Sequence, residues 1–271
     1  MTLSTQEFEF IAGELKRRSG LALVPDKMYL LESRLQPVAR TRGYENVASM
    51  VRALKLQPNE ALMREITESM TTNESMFFRD SKPFEILRDV IMPELDKAGG
   101  RKHARIWSAA CSTGQEAYSV AITLEEMKAK LPGWTFDIIG TDIADKVVEK
   151  AKKGVFSQFE VQRGLPIQVL LKYFDQKEEN SWQVKDEIRN KVQFKTHNLL
   201  ADYTSLGKFD VVLCRNVLIY FDEATKKDVL TRIGRNMQKS GYLLLGSAET
   251  TMGLNDIYEP MLEYRGVHIT K

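Results

Sequence analysis

Glu116, Asp142, Asn198 and the pair Arg215-Asn216 are far apart in the chain, yet each follows a segment that reads as a strand. These segments are residues 106–110, 136–141, 191–197 and Phe209–Cys214. In an open α/β sheet, ligands lie across the carboxyl ends of the strands, so such residues would meet on one rim. A carboxylate at the end of a second strand can accept from both hydroxyls of a ribose. Taken singly, Asp142 reads equally well as a cap for a helix over 144–153, and Glu116 as first-turn charge against a helix dipole. The set as a whole points to a nucleoside site.

The stretch RIWSAACSTGQEAY (105–118) organises the rest. It predicts a buried strand, a polar loop at Ser112-Thr113-Gly114, and a helix whose apolar face carries Ala117, Val120, Ala121, Leu124 and Met127. That order sets backbone N–H groups and a helix start at the sheet edge. The loop has one glycine, Gly114, where a dinucleotide loop of the G-x-G-x-x-G type has three. Close approach of a pyrophosphate is therefore disfavoured, and with it a nicotinamide-dependent oxidoreductase. A nucleoside without phosphates, such as S-adenosylmethionine, fits better.

The elements needed to place these residues are legible along the chain. Residues 4–70 predict an all-helical region, opened by the capping box Ser4-x-x-Glu7 and a stop at Gly20. A second helix follows Pro25-Asp26 and is kinked or ended by Pro37. Two more cover Val47–Leu56 and 59–70. Residues 71–100 form a junction with a helix ending near Pro93. Thr72 or Asn73 reads there as a helix cap, and Phe77-Phe78 as core. Strands and helices then alternate. Strands are expected at 136–141, Ser181–Val184, 191–197, Phe209–Cys214, 242–245 and 263–270, with helices at 144–153, Ile167–Tyr173 and 223–237. This argues a mostly parallel, doubly wound sheet.

The 271 residues carry a formal net charge of +2, which implies no overall nucleic-acid field. Two cysteines, Cys111 and Cys214, make no disulfide framework and read as small buried fillers. Three scattered histidines show no metal spacing. No signal peptide or membrane-length apolar run is seen, so a cytoplasmic protein is expected, without membrane insertion. Between residues 16 and 42, seven Lys/Arg face two acids. That is either an ordinary solvated face or a docking surface for an acidic partner.

The chain resembles the CheR-type chemotaxis receptor methyltransferases over nearly its whole length. The resemblance is carried by TTNESMFFRD (71–80), IWSAACSTGQEAYSVAI (106–122), TDI (141–143), NLL (198–200) and FDVVLCRNVLIYFD (209–222), in that order. It implies an N-terminal helical domain over 1–70 for receptor docking. It also implies a Rossmann-like S-adenosylmethionine-dependent domain over 71–271, with a small antiparallel β-subdomain at about 175–195. Carried over by position, Asn73, Ser75, Arg79, Glu116, Asp142, Asn198, Leu199, Arg215 and Asn216 would surround the cofactor. This overrides the helix-cap reading of the junction. Ser75 stands where many members have Thr, keeping a hydroxyl, and Gln115 where an acid is often seen.

The activity implied is methyl transfer to glutamate carboxylates on chemoreceptors, giving methyl esters and S-adenosylhomocysteine. Arg79 would fix the cofactor tail or the acceptor carboxylate, and Tyr220 would orient the acceptor. Arg34, Arg40 and Arg42 would dock the methylation helices. Some members hold a receptor C-terminal pentapeptide as an added strand, on a longer loop containing glycine. Residues 175–194 contain no glycine, so no such tether is expected here. A monomer without nucleic-acid partners is expected. The competing readings are a methyltransferase with another acceptor and a non-catalytic S-adenosylmethionine-binding regulator.

Overall fold

The computed structural model describes residues 3–271, which divide into two compact units: the N-terminal residues to Thr72 with Tyr220–Lys226, and Asn73–Ile219 with Lys227–Lys271. In the first unit, α1 (Thr5–Ser19) begins at the expected capping box, in which Ser4 and Glu7 cap each other's backbone N–H groups. Gly20 ends it in the left-handed conformation. Then come α2 (Met28–Thr41), α3 (Val47–Leu56) and α4 (Glu60–Met70). Their apolar faces build one core containing Phe8, Ile11, Leu31, Leu35, Met50 and Ile66. Residues 220–226 join this unit: Ala22 N–H donates to the Tyr220 carbonyl at 2.9 Å, and Lys16 pairs with Asp222 at 2.6 Å.

Neither Pro37 nor Pro93 ends its helix. α2 runs through Pro37 to Thr41, because Leu31, Leu35, Val38 and Ala39 bury one continuous face on both sides of it. In the second unit, α5 (Lys82–Ile86) passes through a π-helical turn at Leu87–Ile91 into α6 (Met92–Lys97), so the helical path continues beyond Pro93. The wider π spacing accommodates a residue that lacks an N–H.

The rest of the second unit is β1 (His103–Ala109), α7 (Gln115–Glu126), β2 (Thr135–Asp142), α8 (Asp145–Lys153), β3 (Val155–Ser157), α9 (Gln158–Gln162) and α10 (Ile167–Tyr173). These are followed by β4 (Phe174–Glu178), β5 (Ser181–Val184), α11 (Asp186–Arg189), β6 (Val192–Thr196) and β7 (Phe209–Cys214). Last come α12 (Glu223–Arg235), whose first turn belongs to the other unit, then β8 (Met237–Leu245), β9 (Tyr258–Pro260) and β10 (Val267–Thr270).

Seven strands form the main sheet in the order β6-β2-β1-β7-β8-β10-β9. The first five run parallel, and β10 is antiparallel to β8 and β9. The fold is therefore the expected mostly parallel, doubly wound sheet. The small antiparallel sheet, in the order β3-β5-β4, extends differently from the expected 175–195. It recruits Val155–Ser157, whereas Val192–Thr196 pairs with β2 in the main sheet. The alternating burial of Val192 and Phe194 against β2 and α7 decides that allegiance.

Candidate functional site

Register places the candidate residues on one edge. Ala109, the last residue of β1, pairs with Thr141 of β2 and Cys214 of β7, and Asp142 pairs with Thr196 of β6. The loop after β1, Asp142, Asn198 and the pair Arg215-Asn216 all leave the sheet there. The β1 loop is shaped by left-handed backbone at Ala110 (φ 59°), Ser112 (φ 51°) and Gly114 (φ 95°).

Ser112 joins two parts of this edge. Its N–H donates to Asp142 Oδ2 at 2.8 Å, and its hydroxyl donates to the Asn73 carbonyl at 2.8 Å. The 73–80 segment thus lies against the β1 loop, and Asn73 caps no helix. Phe77 is fully buried and meets Phe156 and Phe174 edge-on. Phe78 N–H donates to the Ser119 hydroxyl on α7 at 2.9 Å. Ser119 was not singled out from the sequence, because its role depends on a segment far away along the chain. Asp142 also accepts from Ala144 N–H at 3.1 Å, so its capping and rim positions coexist. It is 6% exposed, and burial pushes its carboxyl above the usual aspartate range against the pull of these N–H groups.

Arg215 is the second junction. Its buried guanidinium pairs with Glu116 at 2.9 Å and with Asp80 at 2.6 Å, and it donates to the Arg79 carbonyl at 2.9 Å. Glu116 also accepts from the Ser108 hydroxyl at 2.7 Å. Glu116 is therefore a partner for a buried cation rather than a charge set against the helix start alone. Arg215 Nε is buried with no hydrogen-bond partner, leaving one unspent donor at the exit of β7. Arg79 is half-buried, donates to the Glu74 carbonyl at 3.4 Å, and forms no ion pair among the described residues.

Asn198 uses its side-chain oxygen to accept from Leu200 N–H at 2.9 Å, beside buried Leu199. Asn216 holds a left-handed φ of 58°. Ser75 is half-buried in the same segment as Asn73. Tyr220 belongs to the other compact unit. Cys111 and Cys214 are buried and their thiols are pushed well up by burial, as befits fillers rather than nucleophiles. Among the described residues, no cluster of metal-ligating side chains is present, and no helix is long and apolar enough to cross a membrane.

The basic stretch of the helical unit is largely spent internally. Arg34 donates to the Met70 carbonyl at 2.6 Å and the Thr72 hydroxyl at 3.0 Å, which closes the end of α4. Orphan carbonyls at a helix end attract a guanidinium, so Arg34 has a structural task besides the docking expected of it. Arg17 and Arg18 pair with Glu14, and Arg18 also with Glu60. Arg42 pairs with Glu65 at 2.7 Å but stays half-exposed, and Arg40 is exposed.

The donor set suits S-adenosylmethionine. A buried carboxylate stands at the end of β2, the β1 loop carries one glycine, Gly114, where a pyrophosphate loop has three, and Arg79 forms no ion pair among the described residues. Comparison with known proteins agrees. The family model described as CheR methyltransferase, SAM binding domain, matches residues 73–266, and that described as CheR methyltransferase, all-alpha domain, matches residues 6–71. Chemotaxis protein methyltransferase 1 of Pseudomonas aeruginosa is 39% identical over 96% of this chain and 95% of its own length. Chemotaxis protein methyltransferase Cher2 of Pseudomonas putida is 38% identical over the same shares. Chemotaxis protein methyltransferase 1 of Vibrio cholerae is 36% identical over 96% of this chain and 94% of its own.

Proposed function

The chain belongs to the CheR methyltransferase family and is an S-adenosylmethionine-dependent methyltransferase, and on that premise we propose that it methylates glutamate side chains on the cytoplasmic helices of chemoreceptors. The observation that carries this reading is the rim of donors and acceptors at the sheet's carboxyl edge, which does not have to supply a general base for this acceptor. A glutamate acceptor, with a solution pKa of about 4.3, is already ionised at neutral pH and needs none. Bound S-adenosylmethionine supplies a methyl group on a sulfonium. Asp142 holds the ribose hydroxyls, Asn73 and Asn216 flank the nucleoside, and Asn198 and Leu199 border the base. Arg79 is the group suited to a carboxylate, of the cofactor tail or of the acceptor. Arg215 acts less as a ligand than as a fastener, tying Glu116 to the 79–80 segment. Tyr220 orients the acceptor. Positioning a desolvated carboxylate in line with the methyl can account for about 7–11 kcal/mol of the barrier in favourable cases.

The test is transfer of radiolabelled methyl to isolated receptor cytoplasmic domains. Label released as methanol by mild base is expected, whereas label that survives base rules out a carboxyl ester. A regulator without catalysis would give no transfer at all.

Docking is assigned to the exposed cations Arg40 and Arg42, facing acidic methylation helices. Charge reversal at both should raise the KM for receptor by roughly tenfold at low salt and less at high salt. Affinity for S-adenosylhomocysteine should not change; an unaltered receptor KM in steady-state kinetics would remove these residues from the interface. No pentapeptide tether is proposed. The β4–β5 hairpin turns on two residues, and β4, at the edge of its sheet, carries exposed Asp175, Lys177 and Glu178. Charged edges resist an added strand. Calorimetric binding of a receptor C-terminal pentapeptide would contradict this.

A further inference from the structure

Where β7 leaves the sheet, the chain is gripped by a carboxylate outside the rim set. Glu249 follows β8, and its Oε2 accepts from the N–H groups of Gly246 at 2.7 Å and Asn216 at 2.8 Å. Its Oε1 accepts from Leu218 at 2.8 Å and Val217 at 3.0 Å. One side chain thus satisfies four main-chain donors. Three of them are successive, and such converging N–H groups form a concavity that binds anions. Here the chain's own carboxylate fills it. Three of these donors lie past Cys214, the last residue of β7, and the fourth past Leu245, the last of β8, where the strand ladder no longer serves them.

The approach is close. Glu249 N–H donates to the Gly246 carbonyl at 3.0 Å, folding the turn back on itself. A Cβ at Gly246 would meet Glu249 Oε2 at 2.7 Å and both Asn216 N and Nδ2 at 3.0 Å, so the position has no room for a side chain. Asn216 meanwhile sits in the left-handed region, which side-chain-bearing residues adopt at a cost. Four anchored N–H groups hold it there, and Arg215 is the residue just before it.

We propose that Glu249 is a positioning residue for the cofactor site: it fixes the 216–218 turn and so aims Asn216 and Arg215 at the rim. It touches neither cofactor nor acceptor. The proposal rests on the cofactor reading of Asn216 but needs no particular methyl acceptor.

Titration calorimetry with S-adenosylhomocysteine tests it without any receptor. Glu249→Gln keeps the volume but turns an amide N–H toward backbone donors. Its Kd is expected to rise by about tenfold or more, the usual scale for an unmet buried donor. Glu249→Ala should lose affinity further and regain part of it on adding acetate or formate, at ionic strength matched with chloride. Carboxylate rescue of binding is a readout that loss of packing alone would not give. Glu249→Gln with a wild-type melting curve and wild-type Kd would overturn the proposal, as would a Glu249→Ala loss indifferent to acetate. Should Glu249→Ala not fold, Glu249→Gln decides alone. Titration of the unaltered chain checks the cofactor assignment separately, and transfer to receptor checks the acceptor.

Discussion

Asp142→Asn is expected to bind S-adenosylhomocysteine about 100-fold more weakly, or worse, while its melting temperature stays close to that of the unaltered chain. A charge-assisted hydrogen bond is worth about 1.5–3 kcal/mol, and a ribose offers two hydroxyls to this carboxylate. Stability moves differently. Burial raises the Asp142 carboxyl above the usual range, so the fold favours its protonated form. Ionisation at neutral pH therefore costs stability, and that cost begins to shrink as pH falls through the raised value and is gone below the ordinary aspartate value. Asparagine removes the buried charge but loses one of the acceptors for Ser112 and Ala144 N–H, so the two changes oppose each other. The same shift predicts a pH effect in the unaltered chain. Affinity should fall on acidification at a higher pH than an ordinary aspartate would give, and Asp142→Asn should lack that step. Calorimetry across the acidic range checks both statements, and an unchanged Kd in the variant would take Asp142 out of the ribose site.

Arg215→Met should destabilise the fold by about 3 kcal/mol, the scale for stripping one partner from a buried ion pair. Glu116, 12% exposed at its side chain, would keep the Ser108 hydroxyl but lose its counter-charge. The 79–80 segment would lose both the hydrogen bond to the Arg79 carbonyl and the ion pair to Asp80. Cofactor affinity should fall with it, because Arg79 and Asn216 lie on the two segments that Arg215 joins. The companion change Glu116→Gln should recover a substantial part of the stability by removing the stranded charge. Urea unfolding of the single and double variants measures this coupling. If the two losses simply add, the pair is not the fastener described here.

The sequence was most readable where structure is set locally. The Ser4/Glu7 box, α3, α10, β5 and β7 lie where periodicity and punctuation put them. Each contains its own signal within a few turns or alternations. The three-residue strands β3 and β9 were missed because such segments become strands only through their partners. Pro93 misled for a related reason: the helical path continues past a local breaker, as α2 does past Pro37. Among candidate site residues, the strand-end positions could be read because topology sends every parallel strand to the same rim. Residues that act on distant backbone could not. Ser119 and Glu249 each meet N–H groups well away in sequence, and neither stands at a strand end in a recognisable motif. Arg34 shows the converse, since its charge suggested an outward role and its hydrogen bonds point inward.

The most direct test of the account is a crystal structure of the chain with S-adenosylhomocysteine. The prediction is one molecule at the carboxyl edge of the main sheet, with its ribose hydroxyls on the Asp142 carboxylate, Asn73 and Asn216 beside it, and Arg215 still joined to Glu116. A ligand bound elsewhere, or a ribose held by residues other than Asp142, would contradict it.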